Sequence, residues 1–149
     1  MEIRRAEHSD IEALLPLVAD YCLADDHVFN SDGVRYALSV LCESDTHGTA
    51  WVMEDAGELV GYVTVAWSFS LEIYGREAVL DEVFIADRHR NKGYGRALLE
   101  RVLEDCRSRS MKRVFLETEA PNVLAREVYS RLGFERQDSI WMSIDFIDD

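Results

Sequence analysis

Apolar positions along the chain switch between a two-residue and a helical period, and the switches mark out its elements. Residues 2–7 predict a short strand. Ser9 or Asp10 then stands where a helix cap belongs, ahead of Ile11, Leu14, Leu15, Val18 and Cys22 at helical spacing. A second helix is expected after Ser31, with Val34, Ala37, Leu38 and Leu41 on its apolar side and the polar run 43–48 closing it. Residues 50–53 and 59–69 are β-prone, and the turn-forming run 54–58 between them predicts an antiparallel pair. Residues 70–77 connect to a strand at 78–86. A helix at 93–107 and a strand at 114–117 follow, and this β-α-β order makes a parallel pair. Pro121 suits the first turn of a last helix that carries Leu124, Ala125, Val128 and Leu132 and ends at Gly133. Residues 134–136 and 140–146 are expected to form a final strand pair. The fold class that results is α/β of the α+β type: a mixed, mostly antiparallel sheet with helices on both faces.

Length and composition make this one domain, residues 1–149. At 48% hydrophobic the chain can bury a core, its prolines are limited to Pro16 and Pro121, and no repeat or linker divides it. Cys22, Cys42 and Cys106 are too few and too scattered for a disulfide framework, so reduced thiols are expected. No apolar run approaches the ~20 residues of a membrane span, and the N-terminus lacks a signal-like apolar core. A cytoplasmic protein without membrane contact is expected. The net charge of −13 argues against nucleic acid as a partner and suits an amine-bearing one. Solubility or adaptation to a salty interior accounts for the excess acid as readily.

That charge is unevenly spread. Residues 1–87 hold 18 acids against 4 Lys/Arg, whereas residues 88–149 hold 11 against 12. No acid occurs from residue 88 to 99, and within that window Arg90-Asn91-Lys92-Gly93-Tyr94-Gly95-Arg96 lies between a strand and a helix. Glycines let backbone approach a ligand, and the unpaired amides and dipole of a helix start favour an anion. A polyphosphate site is the reading. A dinucleotide fingerprint would need a third glycine where Leu98 stands, although Glu117 and Glu119 occur about where a ribose contact belongs. The Gly-Lys-Ser/Thr ending of a P-loop is missing too.

Taken with a second motif, the chain resembles the GNAT superfamily of N-acetyltransferases over essentially its whole length. Arg90-x-x-Gly93-x-Gly95 is similar to the family's acetyl-CoA pyrophosphate loop. Asn122, Tyr129 seven residues later and the terminal Gly133-Phe134 are similar to its second signature, and the two occur in order with a helix and a strand between them. The resemblance implies a GNAT-like single-domain fold whose central parallel strands splay apart. It implies acetyl-CoA as cosubstrate, with the amides of Asn91, Lys92, Gly93, Tyr94, Gly95 and Arg96, next to Arg90, cradling the pyrophosphate. The main chain of Val83, Phe84 and Ile85 would pair with the pantetheine arm like an added strand. Asn122 would hold the coenzyme near its reactive end, and Tyr129 would protonate the departing thiolate. A non-catalytic acyl-CoA-binding module on the same fold is the alternative, as a fold does not guarantee its chemistry.

An ammonium of pKa near 10 must lose a proton before it can attack a thioester. Asp81, Glu82 and Glu117 are the candidate bases, with Asp81 favoured. Strand alternation puts Asp81 on the face of Val83 and Ile85 and Glu82 on that of Phe84, so one of the two should face the site. The acceptor would be a small-molecule amine or a protein lysine or N-terminus, and the resemblance allows a homodimer. Asp25, Asp26 and His27 lack the spacing and further ligands of a metal site, so no metal is expected and their loop becomes a substrate-lining candidate. Trp51 and Trp67 read as packing residues, Cys106 as core, and Tyr74, Gly75 and Arg76 as either a plain loop or an acceptor-side lining.

Overall fold

The two segments with the longest buried runs are mostly apolar at consecutive positions, and pairing them within one sheet buries a row of side chains on each of its sides. In the computed structural model, which describes residues 1–118 and 121–147, the strands are β1 (Glu2–Arg5), β2 (Gly48–Asp55), β3 (Glu58–Ser70), β4 (Gly75–Ile85) and β5 (Arg113–Leu116), ordered β1-β2-β3-β4-β5. The first three pairings are antiparallel. The last, β4 with β5, is parallel. Helices α1 (Ile11–Ala24) and α2 (Ser31–Glu43) come between β1 and β2, α3 (Tyr94–Ser108) makes the crossover from β4 to β5, and α4 (Val123–Arg131) follows the sheet. Among the described residues no helix is long and apolar enough to cross a membrane. The chain divides into two compact units, Met1–Glu117 and Thr118–Asp149.

In the first unit, Leu14, Leu17, Val18 and Cys22 of α1 and Leu38 of α2 pack on Ala50, Val52, Tyr62 and Phe84. The opposite face carries Trp51, whose ring lies 4.7 Å from the guanidinium carbon of Arg101 on α3. Leu98, Leu99, Val102, Leu103 and Cys106 of that helix are buried. Helices therefore cover both faces, as the periodicity indicates.

Asp10 stands at the N-cap position of α1, as expected, but its side chain bonds the turn before the helix instead. It closes a short turn, His8–Asp10, ahead of α1. Its carboxylate accepts the Glu7 N–H at 2.7 Å and a two-pronged contact from Arg4 at 2.7 and 2.9 Å. The bonded Arg4 guanidinium holds the Asp10 carboxyl below its usual range. A depressed carboxyl pKa stabilises the fold above the unfolded value of about 3.9, and that contribution is lost as pH falls through the folded value. Asp10→Ala is expected to cost about 2–3 kcal/mol at neutral pH, with a smaller difference from wild type below about pH 4, as urea titrations at the two pH values would show.

The second unit corrects the expected C-terminal strand pair. Residues 134–147 carry no regular secondary structure, and Ile140, Trp141, Met142, Ile144 and Phe146 are exposed. A period-two pattern specifies which residues share a face, but a strand also needs a partner, which no local pattern supplies. The parallel pair, expected at the centre of the sheet, consequently lies at its edge among the described residues.

What this unit does order is the end of α4. Gly133 takes φ of 102°, its N–H bonds Ser130 O at 3.1 Å, and the Phe134 N–H bonds Tyr129 O at 3.0 Å. Those paired bonds, with the Phe134 ring 6.0 Å from that of Tyr129, make a Schellman closure with its apolar contact. The Gly-Phe of the second motif thus has a structural purpose, to stop the helix and fix the Tyr129 ring.

Candidate active site

The basic turn after β4 is held open by two left-handed residues. Asn91 has φ of 62° and Gly93 of 80°. A side chain at Gly93 would meet nothing within 4 Å, so the requirement for glycine is conformational rather than one of space. Gly93 caps α3, whose first intrahelical bond runs from Ala97 N–H to Gly93 O. The amides of Tyr94, Gly95 and Arg96 precede that bond, as at any helix start, and no acid occupies the first turn. Arg90 is tied down by its Nε to Ile85 O at 3.0 Å and by Asp87 at 2.7 Å. Tyr94 donates to Asp55 at 2.7 Å and stacks on His89, so its side chain anchors the turn to the β2–β3 hairpin. Gly93→Ala is expected to lower the stability of the fold by roughly 1–2 kcal/mol, read by urea titration, because the left-handed turn would then hold an alanine.

β4 supplies the next part. Its ladder with β5 ends at Leu80 opposite Leu116, whereas β4 itself continues to Ile85. On its other edge Val83, Phe84 and Ile85 pair with Val63, Tyr62 and Gly61. Past Leu80, the β5-side edge of β4 has no β5 partner, which suits an extended ligand arm adding itself as a strand.

Between Thr64 and Val65 the β3–β4 register slips: Thr64 faces Glu82 and Val65 faces Leu80, leaving Asp81 as an extra residue. The bulge overturns the expectation that only one of the two acids faces the site. Two residues now occupy one position of the pleat, so Asp81 shares the side of Val79 while Glu82 shares that of Phe84 and Tyr62, and these are the same side. Both acids line a cavity of about 440 Å³ with Tyr21, Cys22, His27 and Val34. Burial pushes the Asp81 carboxyl above its usual range even though the residue keeps an exposed surface. Glu82 is raised as well, by burial first and by the neighbouring Asp81 charge, against the opposing effect of a 2.7 Å hydrogen bond from Tyr62 Oη. Raised carboxyls in a concave site are what a proton-accepting group requires.

The remaining candidates lie elsewhere. Glu117 follows β5, is exposed, and is not among the residues lining this cavity. Glu119 lies outside the described residues. Tyr74 is exposed, Gly75 and Arg76 open β4, and none of the three lines the cavity. His27, from the loop singled out in the sequence, does line it, with its Nε2 at 2.8 Å from Asp25. In the second unit, Asn122 caps α4 by accepting the Ala125 N–H at 3.3 Å, which leaves its amide donors for another partner. Burial raises the Tyr129 phenol pKa, keeping it protonated.

A model of the acetyltransferase (GNAT) family matches residues 13–134. The chain belongs to this family. It is similar to the uncharacterized N-acetyltransferase YhfO of Bacillus subtilis (strain 168), 28% identical over 135 residues that cover 91% of this chain and 90% of the relative. An integron cassette protein from the mobile metagenome of Cole Harbour Salt Marsh has a TM-score of 0.88 at 25% identity, over 99% of this chain and 91% of that one. The aminoglycoside N-acetyltransferase AAC(6')-Iy, solved in complex with CoA, shares the fold with a TM-score of 0.82 at 15% identity, over 98% and 95% of the two chains. This GNAT member is an N-acetyltransferase, and its helix-start amides and the β4 edge beyond Leu80, which has no strand partner on the β5 side among the described residues, fit an acetyl-CoA donor.

Sequence reasoning missed Tyr62, which binds Glu82 from beneath, and Tyr21, Cys22 and Val34 on the cavity wall. Each reads as an ordinary core position at its local period. The signal for Tyr62 is a phenol within the buried part of β3, since a buried phenol usually has a partner.

Proposed function

We propose that residues 1–149 act as one catalytic domain that transfers the acetyl group of acetyl-CoA to a primary amine by direct attack in a ternary complex. The observation that carries this reading is the bulge at Asp81, which brings two carboxyls with raised pKa into one cavity on the strand whose far end is free to pair with a ligand arm. The ammonium gives up one proton to this carboxylate pair, its nitrogen bonds to the thioester carbon and releases a second proton to solvent as the C–S bond breaks, and the thiolate takes a proton from Tyr129, whose phenolate solvent reprotonates. Backbone amides near Val83 and Ile85 are available to polarise the thioester oxygen. No covalent enzyme intermediate is required.

The acceptor belongs to the small cationic amines. The cavity holds a small molecule, its acids repel a carboxylate next to the reacting nitrogen, and one structural neighbour acts on aminoglycosides. Thiol release from acetyl-CoA, followed across kanamycin, spermidine, a lysine-bearing peptide and free amino acids, tests this. Acceleration by the first two is expected. Acceleration by the peptide or the amino acids alone would overturn the acceptor class, and no acceleration by any of these amines would count against the transfer.

A further inference from the structure

We infer that Asp55 is a positioning residue for the coenzyme: by accepting the Tyr94 hydroxyl it latches the β2–β3 hairpin onto the basic turn, so that the amides of residues 91–96 are in place before a pyrophosphate arrives. This rests on acetyl-CoA as the donor and goes beyond it. Asp55 lies outside both motifs, and an acid beside an anion-binding turn weakens coenzyme binding if charge is its only effect.

The hairpin is a stiff support. Asp55 pairs with Glu58 across a two-residue turn in which Ala56 and Gly57 both take left-handed φ, 51° and 78°. At one end of this turn Asp55 accepts Tyr94 Oη at 2.7 Å, and at the other Glu58 pairs with Arg88. The Tyr94 ring in turn stacks on His89, with centroids 6.2 Å apart, and lies 5.8 Å from the Lys92 ammonium. Arg88 Nε–H bonds His89 Nε2 at 3.2 Å. Both ends of segment 88–94 are thus held from the hairpin, with the left-handed Asn91 and Gly93 between them. Tyr94 also opens α3, so fixing its ring fixes the first of the helix-start amides. A segment tied in this way has less freedom to lose when a ligand binds, and the smaller ordering cost appears as affinity.

Charge and latch predict opposite signs. The Tyr94 hydrogen bond holds the Asp55 carboxyl below its usual range, so the group is ionised at neutral pH, and His89 and Lys92 are among the groups whose charge it feels. Deleting a negative charge there strengthens anion binding, whereas deleting the latch weakens it.

Calorimetry with CoA as the probe, on the full-length chain, separates the two. Asp55→Ala and Tyr94→Phe are each expected to weaken CoA binding by about five- to tenfold, through loss of a hydrogen bond to a charged group, and the double variant is expected to lose no more than either alone. Asp55→Asn keeps an acceptor for the Tyr94 hydroxyl without the charge, and is expected to bind within about twofold of wild type or more tightly. Tighter binding by Asp55→Ala, unchanged binding by Tyr94→Phe, or additive losses in the double variant would overturn the inference. Should Asp55→Ala fail to fold, Tyr94→Phe set against Asp55→Asn decides, and equal affinities overturn the latch. A wild type that binds no CoA removes the donor and the inference with it, whereas variants that lose nothing against a binding wild type remove the inference alone.

Discussion

Tyr129→Phe is expected to lower kcat by about 10²–10³-fold while acetyl-CoA affinity stays within about twofold. Acetyl transfer expels a thiolate, and general-acid catalysis contributes to the rate only if a proton donor is positioned when the C–S bond breaks. Reference pKa values of about 10 for a phenol and 8.5 for a thiol make that transfer uphill in water, so placement has to supply what acidity does not. The Schellman closure at Gly133 and the ring contact with Phe134 provide such placement within α4, and burial keeps the phenol protonated. Removing one oxygen leaves the ring packing intact. Stopped-flow thiol release, with calorimetry of acetyl-CoA binding, separates the two effects, and an equal loss of both would show Tyr129 to be structural.

The paired change Asp81→Asn with Glu82→Gln is expected to reduce kcat/KM by about 10²–10⁴-fold and to abolish the acid limb of its pH profile. The sign follows from the raised pKa values. The base form exists above the raised pKa and is lost as pH falls through it, so wild-type activity should decline on the acid side at a pH above the ordinary carboxyl range of about 3.9–4.3. For stability the same shift acts the other way. A carboxyl whose folded pKa is raised destabilises the folded state at neutral pH, with the penalty developing between the unfolded and folded values as pH rises. Asp81→Asn alone should therefore raise Tm at pH 7, and that gain should vanish in acid. An active-site group that weakens the fold is the usual trade between stability and activity. A variant that loses Tm and keeps its acid limb would remove the pair from the mechanism.

How much of this was legible along the chain differs from element to element. α1, α2 and α3 could be read because 3.6-residue spacing sorts Leu14, Leu38 and Leu99 onto buried faces, whatever those faces meet. The basic turn before α3 was legible as a turn because glycine and charge are local properties, and Gly93 takes the left-handed φ of 80° that favours glycine. The strand pair expected at 134–136 and 140–146 is not formed, because pairing is a non-local contact that Ile140 and Phe146 do not encode by themselves. The two β4 acids fall between these cases. Asp81 and Glu82 were singled out, but alternation assigned them to opposite faces, since a bulge depends on how β3 meets β4 and leaves no mark on the period of β4 alone.

By itself, then, the sequence determined the order of helices and most strands, the basic, glycine-bearing turn before α3 and the tyrosine near the end of α4, all of them set by spacing of a few residues. Only the tertiary structure decided that β4 outruns β5 to leave a free edge, that two adjacent acids share one cavity, and that a buried Tyr62 twenty residues upstream of Glu82 holds one of them. The physical reason is the range of the forces. Backbone propensity and side-chain period act within a turn or two, whereas register, desolvation and a buried phenol–carboxylate bond arise only when distant segments exclude water from one another.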